Sequence, residues 1–158
     1  MLHHVSVGVS DVGRAAQFYD AALGALGYKR VMEFMPYAVA YGVRAPQLWV
    51  QIPGDRNAPS VGNGAHIALK AANKNAVHAF HRAALEAGGT DDGGPGPRAE
   101  YSPDYYGAFV RDLDGNKVEA VLVTMKAAAK PKAKARKAKK AKGGKKKAAK
   151  KARKSKRR

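Results

Sequence analysis

Along residues 1–125 the apolar positions change period in a way that marks alternating strands and helices. From His4 the chain alternates, with Val5, Val7 and Val9 on one face and His4, Ser6 and Gly8 on the other, a half-buried strand. From Asp11 the period becomes helical. Ala15, Phe18, Ala22 and Leu23 fall on one stripe, Asp11 stands at the N-cap position and Gly27 at the C-cap. The same order returns from His66. Ile67 and Leu69 oppose His66, Ala68 and Lys70, followed by Asn73 as N-cap, a stripe of Val77, Phe80, Ala84 and Leu85, and Gly89 as C-cap. Further strand-like runs follow at Tyr37–Val43 and Gln47–Ile52 in the first half, and at Tyr105–Arg111 and Lys117–Val123 in the second. Asp114-Gly115 is a strong hairpin signal between the last two. The Gly- and Pro-rich stretches Pro53–Gly64 and Asp91–Pro97 read as loops.

The two halves are copies of one unit. His4–Gly27 aligns on His66–Gly89 without a gap at an offset of 62, with seven identities: His4/His66, Phe18/Phe80, Ala21/Ala83, Ala22/Ala84, Leu23/Leu85, Ala25/Ala87 and Gly27/Gly89. The expected fold class is therefore α+β: two βαβββ modules whose strands form a cupped mixed sheet with the helices outside.

Composition divides the chain. Residues 126–158 hold 19 Lys and Arg and no acid, whereas residues 1–125 hold the other 11 against 12 Asp and Glu. Two objects are expected: a compact domain over 1–125 and a disordered polycationic tail over 126–158, whose Lys, Ala and Arg cannot bury enough apolar surface to offset ordering. The tail is expected to bind DNA or RNA without sequence preference through its phosphates, using Lys132, Lys134, Arg136, Lys137, Lys139, Lys140, Lys145, Lys146, Lys147, Lys150 and Lys151. The chain has no cysteine, which excludes disulfides and thiolate chemistry. With no apolar run of membrane-spanning length and no signal-peptide pattern at Met-Leu-His-His-Val, a cytoplasmic location is expected, with nucleoid association through the tail as a further option.

If the apolar strand faces pack on the helices, His4 and His66 point into the concave side. Glu119 faces opposite Val118, Ala120 and Leu122, and so joins them there. Two imidazoles and a carboxylate from three strands suit a divalent metal with open positions for water or substrate. Tyr41, Trp49, Phe109 and Arg111 are expected to line the cup and contact substrate, and Arg98 and Tyr101 to reach it from a loop. His3 should face away from His4. His78 and His81 lie on the second helix, where packing or surface roles are expected.

These residues resemble the vicinal oxygen chelate superfamily, which includes glyoxalase I, extradiol dioxygenases, fosfomycin-resistance transferases and bleomycin-resistance proteins. The resemblance rests on His-Val-Ser-Val-Gly-Val-Ser-Asp (4–11), Phe18-Tyr19 of the first helix, Leu-Gly-Tyr (26–28), Gly-Ala-His-Ile-Ala (64–68) and above all Val-Arg-Asp-Leu-Asp-Gly-Asn-Lys-Val-Glu (110–119), where Leu113 replaces a usual Pro. It implies paired βαβββ modules around a metal (Fe, Mn, Ni or Zn) held by His4, His66 and Glu119, with Glu119 also catalytic. The fourth ligand position falls in Pro46–Gln51. Aligned on the strand of Glu119 it is Trp49, which cannot ligate, so the set is closer to the dioxygenases and the fosfomycin-type transferases than to glyoxalase I. The implied function is a metal-dependent lyase, dioxygenase or transferase acting on a small oxygen-rich substrate. A bleomycin-resistance-like binding protein, homodimeric with clefts between subunits, is the alternative within the family. The tail, similar in composition to those of linker histones, makes a nucleoid-associated protein a third reading.

Overall fold

The computed structural model describes residues 2–123; the cationic tail assigned above lies outside the described residues. The first module runs β1 (Val5–Gly8), α1 (Val12–Gly24), β2 (Lys29–Phe34), β3 (Ala38–Gly42) and β4 (Leu48–Gln51). The second runs β5 (Ile67–Lys70), α2 (Lys74–Glu86), β6 (Thr90–Asp91), β7 (Gly96–Pro97), β8 (Tyr105–Arg111) and β9 (Lys117–Val123). One sheet has the order β1-β4-β3-β2. The other has the order β5-β9-β8-β6, with β7 also paired to β8. In both, the module's first and last strands are parallel and the remaining pairs antiparallel. The two-module α+β architecture expected from the repeat is the one observed.

Each helix is closed by the chemistry its sequence offers. The side chain of Asp11 accepts from Arg14 N at 2.9 Å, and that of Asn73 accepts from Ala76 N at 2.9 Å. Both ends carry the six-to-one carbonyl closure of a Schellman motif, Tyr28 N to Leu23 O at 3.1 Å and Gly89 N to Ala84 O at 2.9 Å. The left-handed residue is Gly27 in the first copy, as expected, but Gly88 (φ 92°) in the second. Gly89 serves a different purpose: a Cβ there would lie 2.6 Å from Phe18 Cε2 and 2.8 Å from Arg111 O, so its bare backbone lets α1 close on the second module.

Alternate strand residues and one stripe of each helix fuse into a single core spanning both modules. It includes Val7, Val9, Phe18, Leu23, Val39 and Val50 of the first, and Leu69, Phe80, Val110, Val118 and Ala120 of the second. Strand β2 escaped the periodicity reading because it is an exposed edge, bulged between Arg30 and Met32, which breaks the alternation. Its anchor is Arg30, paired with Asp20 of α1 at 2.6 Å and with Glu33 at 3.0 Å. The stretch read as a loop over Asp91–Pro97 overlaps β6 and contains β7, two-residue strands that follow the β8 edge and are too short to show a period.

Asp112 ties the modules together. This buried carboxylate accepts from the Tyr19 hydroxyl of α1 at 2.7 Å, from Asp114 N at 3.0 Å, from Asn116 N at 2.7 Å and from Asn116 Nδ2 at 2.9 Å. Asn116 Nδ2 also reaches Gly8 O at 3.0 Å, and Ser10 N donates to Asp114 Oδ1 at 3.0 Å. The turn is thereby sewn to the end of β1. Burial first, then the Asp112 charge, hold the Tyr19 hydroxyl well above its usual pKa.

Asp112→Ala should lower the unfolding free energy by about 3 kcal/mol or more, since it strands buried donors of a charged hub. Urea denaturation checks this, and a loss below about 1 kcal/mol would refute the assignment. The raised Tyr19 pKa adds stability that is complete below the unfolded tyrosine value of about 10 and is lost as pH rises through the folded one. Tyr19→Phe should therefore flatten the alkaline limb of the stability profile.

Candidate functional site

The open face of the second sheet is set by strand parity. The register pairs Phe109 with Glu119, Ala68 with Glu119, and Arg111 with Lys117, so Tyr105, Gly107, Phe109 and Arg111 of β8 share a face with Lys117 and Glu119 of β9. Val110, Val118 and Ala120 point the other way into the core.

Glu119 is fully buried, which for a carboxylate requires partners. It has two. Tyr105 donates its hydroxyl to Oε1 at 2.6 Å, and His66 Nε2 lies 3.1 Å from Oε2. The His66 side chain is 42% exposed, so the pair runs from the interior to the open face. Burial, then the hydrogen bond to Glu119, raise the Tyr105 pKa, keeping the phenol a donor. Gly107 makes room for this arrangement, because a Cβ there would stand 2.8 Å from Glu119 Oε1. The ring of Phe109 meets His66 edge-on at 6.0 Å.

Beside His66 opens a cleft of about 320 Å³ whose lining includes Asn63, His66, Tyr101, Phe109, Arg111 and Lys117. Lys117 Nζ lies 4.6 Å from the Phe109 ring centre, and Arg98 Cζ 5.6 Å from it. Asp92 approaches both cations of the cleft, 3.0 Å from Lys117 and 3.2 Å from Arg111; these are ionic contacts without good hydrogen-bond alignment.

The equivalent place in the first sheet has different chemistry. Trp49 pairs with Ser6 across β4 and β1 as Glu119 pairs with Ala68 across β9 and β5, so Trp49 occupies the position of the glutamate. The ring of His4 lies 6.5 Å from Trp49, and Phe34 stacks on Trp49 at 6.1 Å.

Of the residues expected at the site, His66 and Glu119 come together, with Phe109, Arg111 and Tyr101 beside them and Arg98 over Phe109. His4 sits with Trp49. Among the described residues no three His, Asp or Glu side chains gather closely enough to hold a metal. Tyr41 does not line the open face. It is wholly buried on the helix side of the first sheet, its one hydroxyl hydrogen shared between Asp20 Oδ1 at 2.9 Å and Ala16 O at 3.1 Å, because strand parity sets it with Val39 in the core. His3 does not point away from His4: their Nδ1 atoms are 2.7 Å apart, since the strand begins at Val5 and alternation does not reach them. His78 contacts the Tyr106 hydroxyl at 2.8 Å and His81 contacts Asp91 at 2.7 Å, both on the helix side. Tyr105, Lys117 and Asp92 were not expected at the site. For the first two the signal was present, since the Asp114-Gly115 hairpin fixes which residues share the face of Glu119.

Paired βαβββ units with an ionisable pair on the open face place the chain among small α+β proteins built from a duplicated module. The comparisons agree. Residues 1–120 match the family model of the Glyoxalase/Bleomycin resistance protein/Dioxygenase superfamily, and the chain belongs to that family. A glyoxalase/bleomycin resistance protein from Albidiferax ferrireducens T118 is 35% identical, with a TM-score of 0.66 over 75% of this chain and 94% of that one. A putative glyoxalase from Bacillus halodurans is 25% identical, with a TM-score of 0.58 over 77% of this chain and 94% of that one. A lactoylglutathione lyase from Agrobacterium tumefaciens, 17% identical, shares the fold with a TM-score of 0.55 over 77% of this chain and 92% of that one. No functionally curated protein matches the chain.

Gly107→Ala should displace the Glu119 carboxylate and cost about 1–3 kcal/mol of stability by overpacking. Paired with Tyr105→Phe, which removes the opposing hydroxyl, the glycine substitution should cost less than alone. Additive losses in denaturation would show that the two do not share the Glu119 pocket.

Proposed function

We propose that this protein is a metal-dependent enzyme of its family, acting on a small oxygen-rich substrate bound against the second sheet. The observation that carries this reading is Glu119: a carboxylate on a central strand, wholly buried, paired with a half-exposed histidine that lines a cleft. Among the described residues no buried cation is paired with it, and charges buried without a task are rare.

One imidazole and one carboxylate oxygen suit a divalent metal of nitrogen and oxygen preference, and His4, which stands apart beside Trp49, would be the third ligand. Fe, Mn, Ni and Zn all accept such a set. The metal would supply Lewis acidity toward vicinal oxygens of the substrate. The protein's own groups do the rest. Tyr105 holds Glu119 Oε1, leaving Oε2 as the side that faces His66. Phe109 provides an apolar floor, and Glu119, wholly buried, holds His66 at the cleft wall. Since His4 and the His66–Glu119 pair belong to different sheets, the reading includes a homodimer in which His4 of one copy completes the set of the other. Exposed Met32 and Phe34, 41% and 52% accessible, flank Trp49 on the face such a partner would cover.

Trp49 at the position of the missing fourth ligand favours a second reading, sequestration of a flat small molecule without turnover, as in the bleomycin-resistance branch. Under either reading the tail over 126–158 attaches the protein to nucleic acid, supported by its 19 cations and no acid. None of the helices among the described residues is long and apolar enough to cross a membrane.

Elemental analysis of the full chain should find near-stoichiometric metal that is lost in His4→Ala, His66→Ala and Glu119→Ala. Refolding His4→Ala together with Glu119→Ala should recover part of it, because mixed dimers contain one intact site. Absence of metal after incubation with Mn, Fe, Ni and Zn salts would leave sequestration as the function. For the tail, DNA affinity should fall with salt along a log–log line. Replacing Lys145, Lys146 and Lys147 with Gln should make its slope shallower by roughly 0.9 for each phosphate no longer neutralised. An unchanged slope would place the contact elsewhere.

A further inference from the structure

The cleft beside His66 contains an electrostatic arrangement that the metal reading does not use. Arg111 and Lys117 face each other across β8 and β9 at its lining, and the single carboxylate Asp92 is placed against both, 3.2 Å and 3.0 Å away. Two cations are thus matched by one anion. Glu119, the other nearby acid, is already engaged by Tyr105 and His66. Lys117 also sits 4.6 Å from the centre of the Phe109 ring, so an apolar surface adjoins the excess positive charge. At about 320 Å³ the cleft is at the small end of ligand cavities.

We infer that Arg111 and Lys117 form an anion subsite, and that the molecule taken into this cleft is a small acid: an unsaturated or aromatic body on Phe109, its acidic group on the two cations, and its other end at His66. Asp92 is the built-in competitor. It holds the cations in place when the cleft is empty and is displaced, or made to share them, when an acid enters. Guanidinium and ammonium groups together supply donors to both oxygens of a carboxylate or to those of a phosphonate. The inference deepens the proposed function by assigning the charge class of the ligand, and rests on it only in taking His66 as the reacting end.

The test is a residue-resolved amide NMR titration of the full chain with three probes of one shape: benzoate, phenylphosphonate and neutral benzamide. Chelator is present throughout, so that a failure of the metal reading leaves the result standing. Resolving individual amides separates the cleft from any anion bound by the cationic tail. Saturable shifts at Phe109, Arg111 and Lys117 are expected with both anions, with benzamide about tenfold weaker, the loss expected from one charge-assisted hydrogen bond. Lys117→Met should weaken benzoate by about tenfold for the same reason while leaving the remaining spectrum native. Asp92→Asn should tighten it. Equal binding of benzamide and benzoate, shifts confined to residues 126–158, or weaker binding in Asp92→Asn would each overturn the inference. Which anion binds more tightly decides between a carboxylic and a phosphonic or phosphoric acid group.

Discussion

The structure depends on one buried carboxylate, that of Asp112. Four donors converge on it, from a helix hydroxyl, two turn amides and the amide side chain of Asn116. A charge removed from water is tolerable only when its lone pairs are filled, and here the groups that fill them belong to both modules. Satisfying Asp112 therefore holds α1, the β8–β9 turn and the end of β1 in one arrangement. The turn in turn sets the register of β8 on β9. That register decides which side chains meet on the open face, since a slip of one residue would send Glu119 into the core and Val118 into the cleft.

Much of this was legible in the sequence because it follows from short-range rules. Asp11 and Asn73 declared the helix starts, the ungapped repeat declared the two modules, and alternation on β9 declared the side of Glu119. What was hidden lay where those rules do not apply. His3 and His4 precede the strand, so parity says nothing of their directions. Tyr41 has a polar tip that suggests a binding face, yet its hydroxyl finds Ala16 O and Asp20 in the interior, and an aromatic ring with a satisfied tip is at home in a core. The partnership of Tyr105 with Glu119 crosses a hairpin and becomes visible only once the register is drawn. The pairing of Asp92 with Arg111 and Lys117 depends on a glycine-rich segment whose path no periodicity records.

The duplication has produced two halves with the same parallel pairing of first and last strands and opposite surface chemistry. Ser6 beside Trp49 and Ala68 beside Glu119 are the same lattice point of two sheets. In one, an indole stacks on Phe34 and borders His4; in the other, a carboxylate is held by a phenol and an imidazole. The backbone tolerates both because each outward position is separated from the core by a full strand, so the open face can change identity without disturbing the apolar contacts that stabilise the modules.

Tyr105 and His66 also make the two oxygens of Glu119 inequivalent. An isolated carboxylate is symmetric and presents either oxygen to an incoming group. Here one oxygen is fastened behind by a phenol that burial keeps protonated, and the other faces the histidine. Such a group has a front and a back. Its front is covered by the imidazole, so the interior carboxylate meets the cleft only through His66, and the orientation of that one ring relays the interior of the sheet to its open face.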